Sequence, residues 1–131
     1  MVQPTVETRA STGATPLVVG HYLWKAAMGG IERLVLDLAD EQRRSGAVDP
    51  TIVFGSEGGA WREHYDAHRV EVVGLKSGAQ LSLRAYTRLR RIFERLDVLH
   101  MHAYHPLVGL AAAHSGTPVV FTLHGGFGKG R

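Results

Sequence analysis

Five short apolar, β-branched runs alternate with stretches whose apolar residues recur at helical spacing. This alternation limits the fold more than any other feature of the chain. The runs are Leu17–Leu23, Thr51–Phe54, Val70–Val73, Val98–Met101 and Pro118–Leu123, bounded by Gly55, Gly74 and Gly125-Gly126. They are nearly continuously apolar, as strands covered on both faces should be. From Ile31, the positions Ile31, Leu34, Val35, Leu38 and Ala39 form one helical face, and Gly46 stands where a helix-ending glycine is expected. A short helix is predicted over Ala60–Ala67 and a strongly amphipathic one over Leu81–Leu96. Pro106–His114 is small and apolar, with proline in its first turn. The order β-α-β-α-β-α-β-α-β predicts an α/β doubly wound parallel sheet with helices on both faces; the strand order expected for it is 3-2-1-4-5.

A chain of 131 residues is one domain, or part of one, and is long enough for a real core. Its 44% hydrophobic and 21% charged residues exclude wholesale disorder. The absence of cysteine excludes disulfides, thiolate metal sites and thiol catalysis. No apolar run approaches the ~20 residues of a membrane span. Residues 1–15 lack a signal-peptide core and read as a disordered N-terminal tail, leaving residues 16–131 as the domain and the cytoplasm as the default location. The net charge of +3 is unevenly placed: residues 1–71 carry 7 basic and 10 acidic side chains, residues 72–131 carry 8 and 2. The second half should attract anions such as a phosphorylated ligand, an anionic membrane or nucleic acid; a solvated basic face is the alternative.

In such sheets ligands sit beyond the carboxyl ends of the strands, where the strand order reverses. Candidate loops are those after Leu23, His102 and Leu123. Gly29 and Gly30 lie between the first strand and the first helix. Adjacent glycines let backbone approach a ligand, and the helix N-terminus favours an anion, so the pair is a candidate phosphate site. A plain strand-to-helix turn is the alternative. No G-x-G-x-x-G dinucleotide fingerprint is present, and Glu32 suits the helix N-terminus electrostatically.

The stretch GGIERLVLDLADEQRRSG resembles the glycine loop and first helix of the N-terminal domain of retaining GT-B glycosyltransferases, specifically glycosyltransferase family 4. The stretch DVLHMHAYHPLVGLAAAHSGTPVVFTLHG is similar to that family's Asp-apolar-apolar-His-x-His strand, small-residue helix and Pro-Val-Val-x-Thr-x-His-Gly strand. The resemblance spans roughly residues 16–126. It implies a Rossmann-like sheet and an incomplete GT-B N-terminal domain. It further implies a nucleotide-sugar donor, an acceptor, and a C-terminal donor-binding domain or partner chain. Gly29 and Gly30 would approach the donor phosphate.

Eight histidines are present, three of them as H-x-H-x-x-H at His100, His102 and His105. His100 and His102 share a strand face and form a usable metal pair, with His124 as a third ligand. The alternative is that both pack against a helix with ring nitrogens bonded to backbone, and no metal or cofactor is expected. His124 ends a buried strand before Gly125-Gly126 and should face the crevice. The resemblance places it near the donor sugar as the catalytic candidate, able to bond sugar hydroxyls and hold developing charge. A strand-end structural histidine is the alternative. His102, Tyr104 and His105 are expected to line the crevice.

Residues 118–131 also resemble the His-Gly-Gly oxyanion segment of α/β-hydrolases, but Phe127 interrupts the glycines and no G-x-S-x-G follows. Gly128-Lys129 is no phosphate-loop lysine, since Gly130 holds the Ser/Thr position. Arg84, Arg88, Arg91 and Arg95 form a stripe on the third helical segment, suited to anionic headgroups at the inner membrane face or to solvent. Only Tyr86 is interleaved, which disfavours nucleic acid. The expectation is an acceptor-side half enzyme, inactive and prone to self-association alone. The alternatives are a non-catalytic Rossmann-like binding module and a truncated hydrolase.

Overall fold

The structure, a computed structural model, describes residues 15–75 and 82–124. Its centre is β1 (Leu17–Leu23), flanked by β2 (Val48–Phe54) and β4 (Val98–Met101). β3 (Arg69–Val72) and β5 (Val119–Phe121) complete a five-stranded, all-parallel sheet of order β3-β2-β1-β4-β5. Three helices connect the strands: α1 (Gly30–Ser45), α2 (Leu83–Glu94) and α3 (Pro106–Ser115). Both the fold class and the strand order agree with the sequence pattern.

Each face of the sheet has its own core. On one, Val35 and Ala39 of α1 pack with Leu23, Ile52, Phe54 and Tyr65. On the other, Leu89, Ile92 and Phe93 of α2 join Leu107, Val108, Ala111 and Ala112 of α3 over Tyr22, Val53, Leu99 and Met101. The pleat explains the split: neighbours in β2, such as Ile52 and Val53, point to opposite sides. Burying side chains of this size stabilises the fold by roughly 1.5–3 kcal/mol each before ordering costs.

The helix ends follow sequence chemistry. Gly46 takes a left-handed φ of 76° after α1, and Gly116 one of 78° after α3. Ser82 caps α2 by accepting a hydrogen bond from the Ala85 N–H at 3.1 Å. Thr117 Oγ1 donates to the Phe93 carbonyl at 2.6 Å and ties the end of α3 to α2.

Several boundaries move. β2 begins three residues before the predicted start and includes Asp49-Pro50. Pro50 pairs with Val19 of β1, while β3 joins β2 only from Thr51, so the proline lies where one flank is still open. The segment 60–67 forms only a 3-10 turn over Arg62–Tyr65. The amphipathic α2 runs from Leu83 to Glu94, and its predicted start, Leu81, lies outside the described residues. So do residues 1–14 of the expected tail and Gly125-Gly126. Coverage on both faces fails for β5, whose three residues are all exposed at the sheet edge. No helix among the described residues is long and apolar enough to cross a membrane.

Gly59 is the glycine the backbone needs: its φ is 105°, and an added Cβ would run into the Ala26 backbone. Gly30 is the opposite case, with nothing within 4 Å of an added Cβ. Gly59→Ala should therefore lose about 1–3 kcal/mol in urea denaturation. Gly30→Ala should stay within about 0.5–1 kcal/mol of wild type, on the stabilising side.

Candidate functional site

The carboxyl end of the sheet gathers the candidate residues. The chain leaves β1 toward α1 on one face and leaves β4 toward α3 on the other. The strand order reverses between these two strands, which is where a ligand crevice is expected in such sheets.

The register builds a histidine cluster on the α1 side. His21 of β1 pairs with His100 of β4, so their side chains share a face, and His102 follows two residues on. Hydrogen bonding continues past the strand ends: the His102 N–H donates to the Tyr22 carbonyl at 3.0 Å, and the Thr122 N–H to the Met101 carbonyl at 3.1 Å. Thr122 and His124 thereby arrive beside His100 and His102. His102 Nδ1 lies 3.0 Å from His124 Nε2, and His102 Nε2 lies 3.1 Å from His21 Nδ1. His21 Nε2 reaches Gln42 Oε1 of α1 at 2.8 Å. His100 Nε2 meets Thr122 Oγ1 at 2.6 Å, and its ring lies over that of His102 with centroids 4.0 Å apart.

Burial disfavours the charged forms of His21, His100 and His102. It pushes the His102 imidazole down to about 3, helped by His100, His21 and His124. Burial also lowers His21, against the raising effect of the Gln42 hydrogen bond, with smaller contributions from His100 and His68. His100 is lowered by burial and then by His124. The expectation that His100 and His102 bond to backbone is not met; their ring nitrogens bond to side chains.

Among the described residues, the metal-capable group is His21, His100 and His102, each offering one ring nitrogen within 4.8 Å of the others. It includes no carboxylate. His124 stands beyond it, on the outer nitrogen of His102.

At the start of α1, Gly29 is the N-cap in extended backbone, and no side chain caps the first-turn N–H groups. An added Cβ at Gly29 would meet Glu32 Oε1 at 2.6 Å, and Gly30 borders open space. Neither glycine is demanded by a left-handed φ. Tyr104 is exposed and lies against Gly109. His105 is buried: its ring stacks on Trp24 with centroids 5.7 Å apart, and its Nδ1 caps α3 by accepting from the Leu107 N–H at 3.1 Å. It holds up the crevice wall through that cap.

All four arginines of the stripe are exposed, Arg84, Arg88 and Arg91 on α2 and Arg95 at its C-cap. Arg88 and Arg95 lie 3.4 and 3.9 Å from the Glu71 carboxylate on β3, which neutralises part of the stripe.

His21 and Gln42 are the residues that sequence reasoning missed. His21 sits at the odd positions of β1 that face α1, and Gln42 lies seven residues after the buried Val35 on α1. Only the strand register, which aligns His21 with His100, reveals their partnership.

Because folding disfavours the charged form of His102, protonation must favour the unfolded chain. Between pH 6.5 and about 3 an unfolded His102 binds a proton that the folded one does not, so stability falls as pH drops through that window. For His102 alone, going from pH 7 to pH 5 should cost about 2 kcal/mol. Urea denaturation at the two pH values should show this loss, and His102→Asn should flatten it. An equally steep slope in the variant would remove His102 as the cause.

No curated protein and no solved structure matches the chain. The family model described as Glycosyltransferase Family 4 matches residues 28–131, from the glycine loop through His124. The chain, carrying a parallel α/β sheet of the expected order, belongs to glycosyltransferase family 4.

Proposed function

We propose that this chain is the acceptor-side N-terminal part of a retaining glycosyltransferase, moving a sugar from a nucleotide-sugar donor to an acceptor. The observation that carries the reading is His124: half-buried at the carboxyl end of β5, its ring is braced by His102 beside the reversal point of the sheet. The uncapped first turn of α1, opened by Gly29 and Gly30, offers N–H groups and a partial positive charge to the donor phosphate. His124 bonds a sugar hydroxyl and holds charge that develops at the oxocarbenium-like transition state. A donor-binding unit, in the same chain or on a partner, closes the crevice and excludes water.

Family membership sets the hydrolase alternative aside, because the match includes the glycine loop that an oxyanion segment leaves unexplained. A non-catalytic binding module differs in its response to mutation. In a transferase completed with a donor domain, His124→Ala should lower kcat by about 10²–10³, the cost of one transition-state donor, with the melting temperature kept. Loss of stability with turnover per folded molecule retained would make His124 structural. Gly30→Val should weaken donor use while the fold persists, since the position faces open space. Assayed with common nucleotide sugars by calorimetry and product detection, residues 1–131 alone should show no transfer and at most weak donor binding. Turnover by a stable monomer would overturn the need for a second domain.

A further inference from the structure

The four side chains Gln42, His21, His102 and His124 form one unbroken line of contacts from α1 to the crevice. The distances are 2.8 Å from Gln42 Oε1 to His21 Nε2, 3.1 Å from His21 Nδ1 to His102 Nε2, and 3.0 Å from His102 Nδ1 to His124 Nε2. A neutral imidazole has one N–H and one bare nitrogen, so each link dictates the next. Gln42 Oε1 carries no hydrogen, so His21 Nε2 must donate to it. His21 Nδ1 is then bare and accepts from His102 Nε2. His102 Nδ1 is bare in turn and accepts from His124 Nε2. The last atom, His124 Nδ1, is left as an acceptor with no partner among the described residues.

We infer that Gln42, acting through His21 and His102, is a positioning residue that locks His124 as the Nε2–H tautomer and presents its Nδ1 as a hydrogen-bond acceptor to a hydroxyl-bearing ligand. The hydroxyl half of this inference rests on the glycosyl-transfer reading; the tautomer half does not. Burial supports it, because a charged imidazole would break the alternation and the surroundings disfavour one. His100 stands outside the line, its ring tilted against that of His102 and bonded to Thr122. The inner nitrogens could instead converge on a cation, but His21 Nδ1 and His102 Nε2 are 3.1 Å apart, the length of a direct N–H···N bond, and Gln42 and His124 already hold the outer ends.

The test is long-range ¹H–¹⁵N NMR of the 131-residue chain with ¹⁵N-labelled histidine, which reads the protonated nitrogen of each ring directly. Wild type should show His21, His102 and His124 all as Nε2–H tautomers. Gln42→Glu, whose carboxylate also accepts, should keep that state in spectra taken at pH 9, where the added carboxylate does not charge the rings. Gln42→Leu should release the line and give His124 a mixture of tautomers, while the amide spectrum reports an intact fold. An Nδ1–H tautomer at His124 in wild type would overturn the inference. So would an unchanged His124 in Gln42→Leu, or one-to-one zinc binding that shifts His21, His100 and His102 together. Should Gln42→Leu fail to fold, Gln42→Glu decides alone, and loss of the Nε2–H state there is fatal. In the completed transferase, Gln42→Leu should lower kcat by about 10–100-fold with KM held and Gln42→Glu restoring it. Correct tautomers with no effect of either Gln42→Leu or His124→Ala on transfer would defeat the sugar-site reading and leave the relay standing.

Discussion

The structure depends on β1 being held between β2 and β4, parallel to both. A parallel strand buried on two flanks has every backbone group committed, so its register cannot slip without turning its side chains to the wrong face. That register sets Tyr22 into the α2–α3 core and His21 toward α1. It also places His21 against His100, from which the crevice cluster grows. The departures of the chain from β1 and β4 to opposite faces then supply the crevice. Fold and site therefore have one origin.

The buried imidazoles impose a second constraint. Polar rings out of water cost stability unless each nitrogen finds a partner. Here the histidines satisfy one another and finish on Gln42 and Thr122, whose side chains contribute bonding atoms with no net charge. Such a network is stabilising only while complete, so its members act as a unit rather than as separate contacts.

Much of this was legible in the sequence. Apolar runs and turn residues located β1 and β4 without error, and Gly46 marked the end of α1. The parallel sheet followed from the β-α alternation, and the placement of the glycine loop and of His124 at the carboxyl end of the sheet from motif and position. The start of β2 was hidden because Pro50 reads as a stop, whereas a flank still open tolerates it. His105 was legible as a residue but not as a cap, since the bond from Leu107 depends on the local turn. Gln42 and His21 were invisible for a deeper reason. They lie 21 residues apart on different elements, and no local pattern encodes which helix turn will meet which strand face.

The edge position of β5 has a bearing on the site's time scale. His124 is fixed from one side by His102, but the strand that delivers it has three residues, all exposed, and a single sheet neighbour among the described residues. Openings of a short edge strand need far less free energy than global unfolding. Each opening would carry Thr122 and His124 away together, leaving His100 and His102 to meet water. Any surface that settles over Val119, Val120 and Phe121 would lengthen the lifetime of the assembled histidine line without touching a ligand. Cover at the sheet edge and order in the crevice are thus one equilibrium, read at two places.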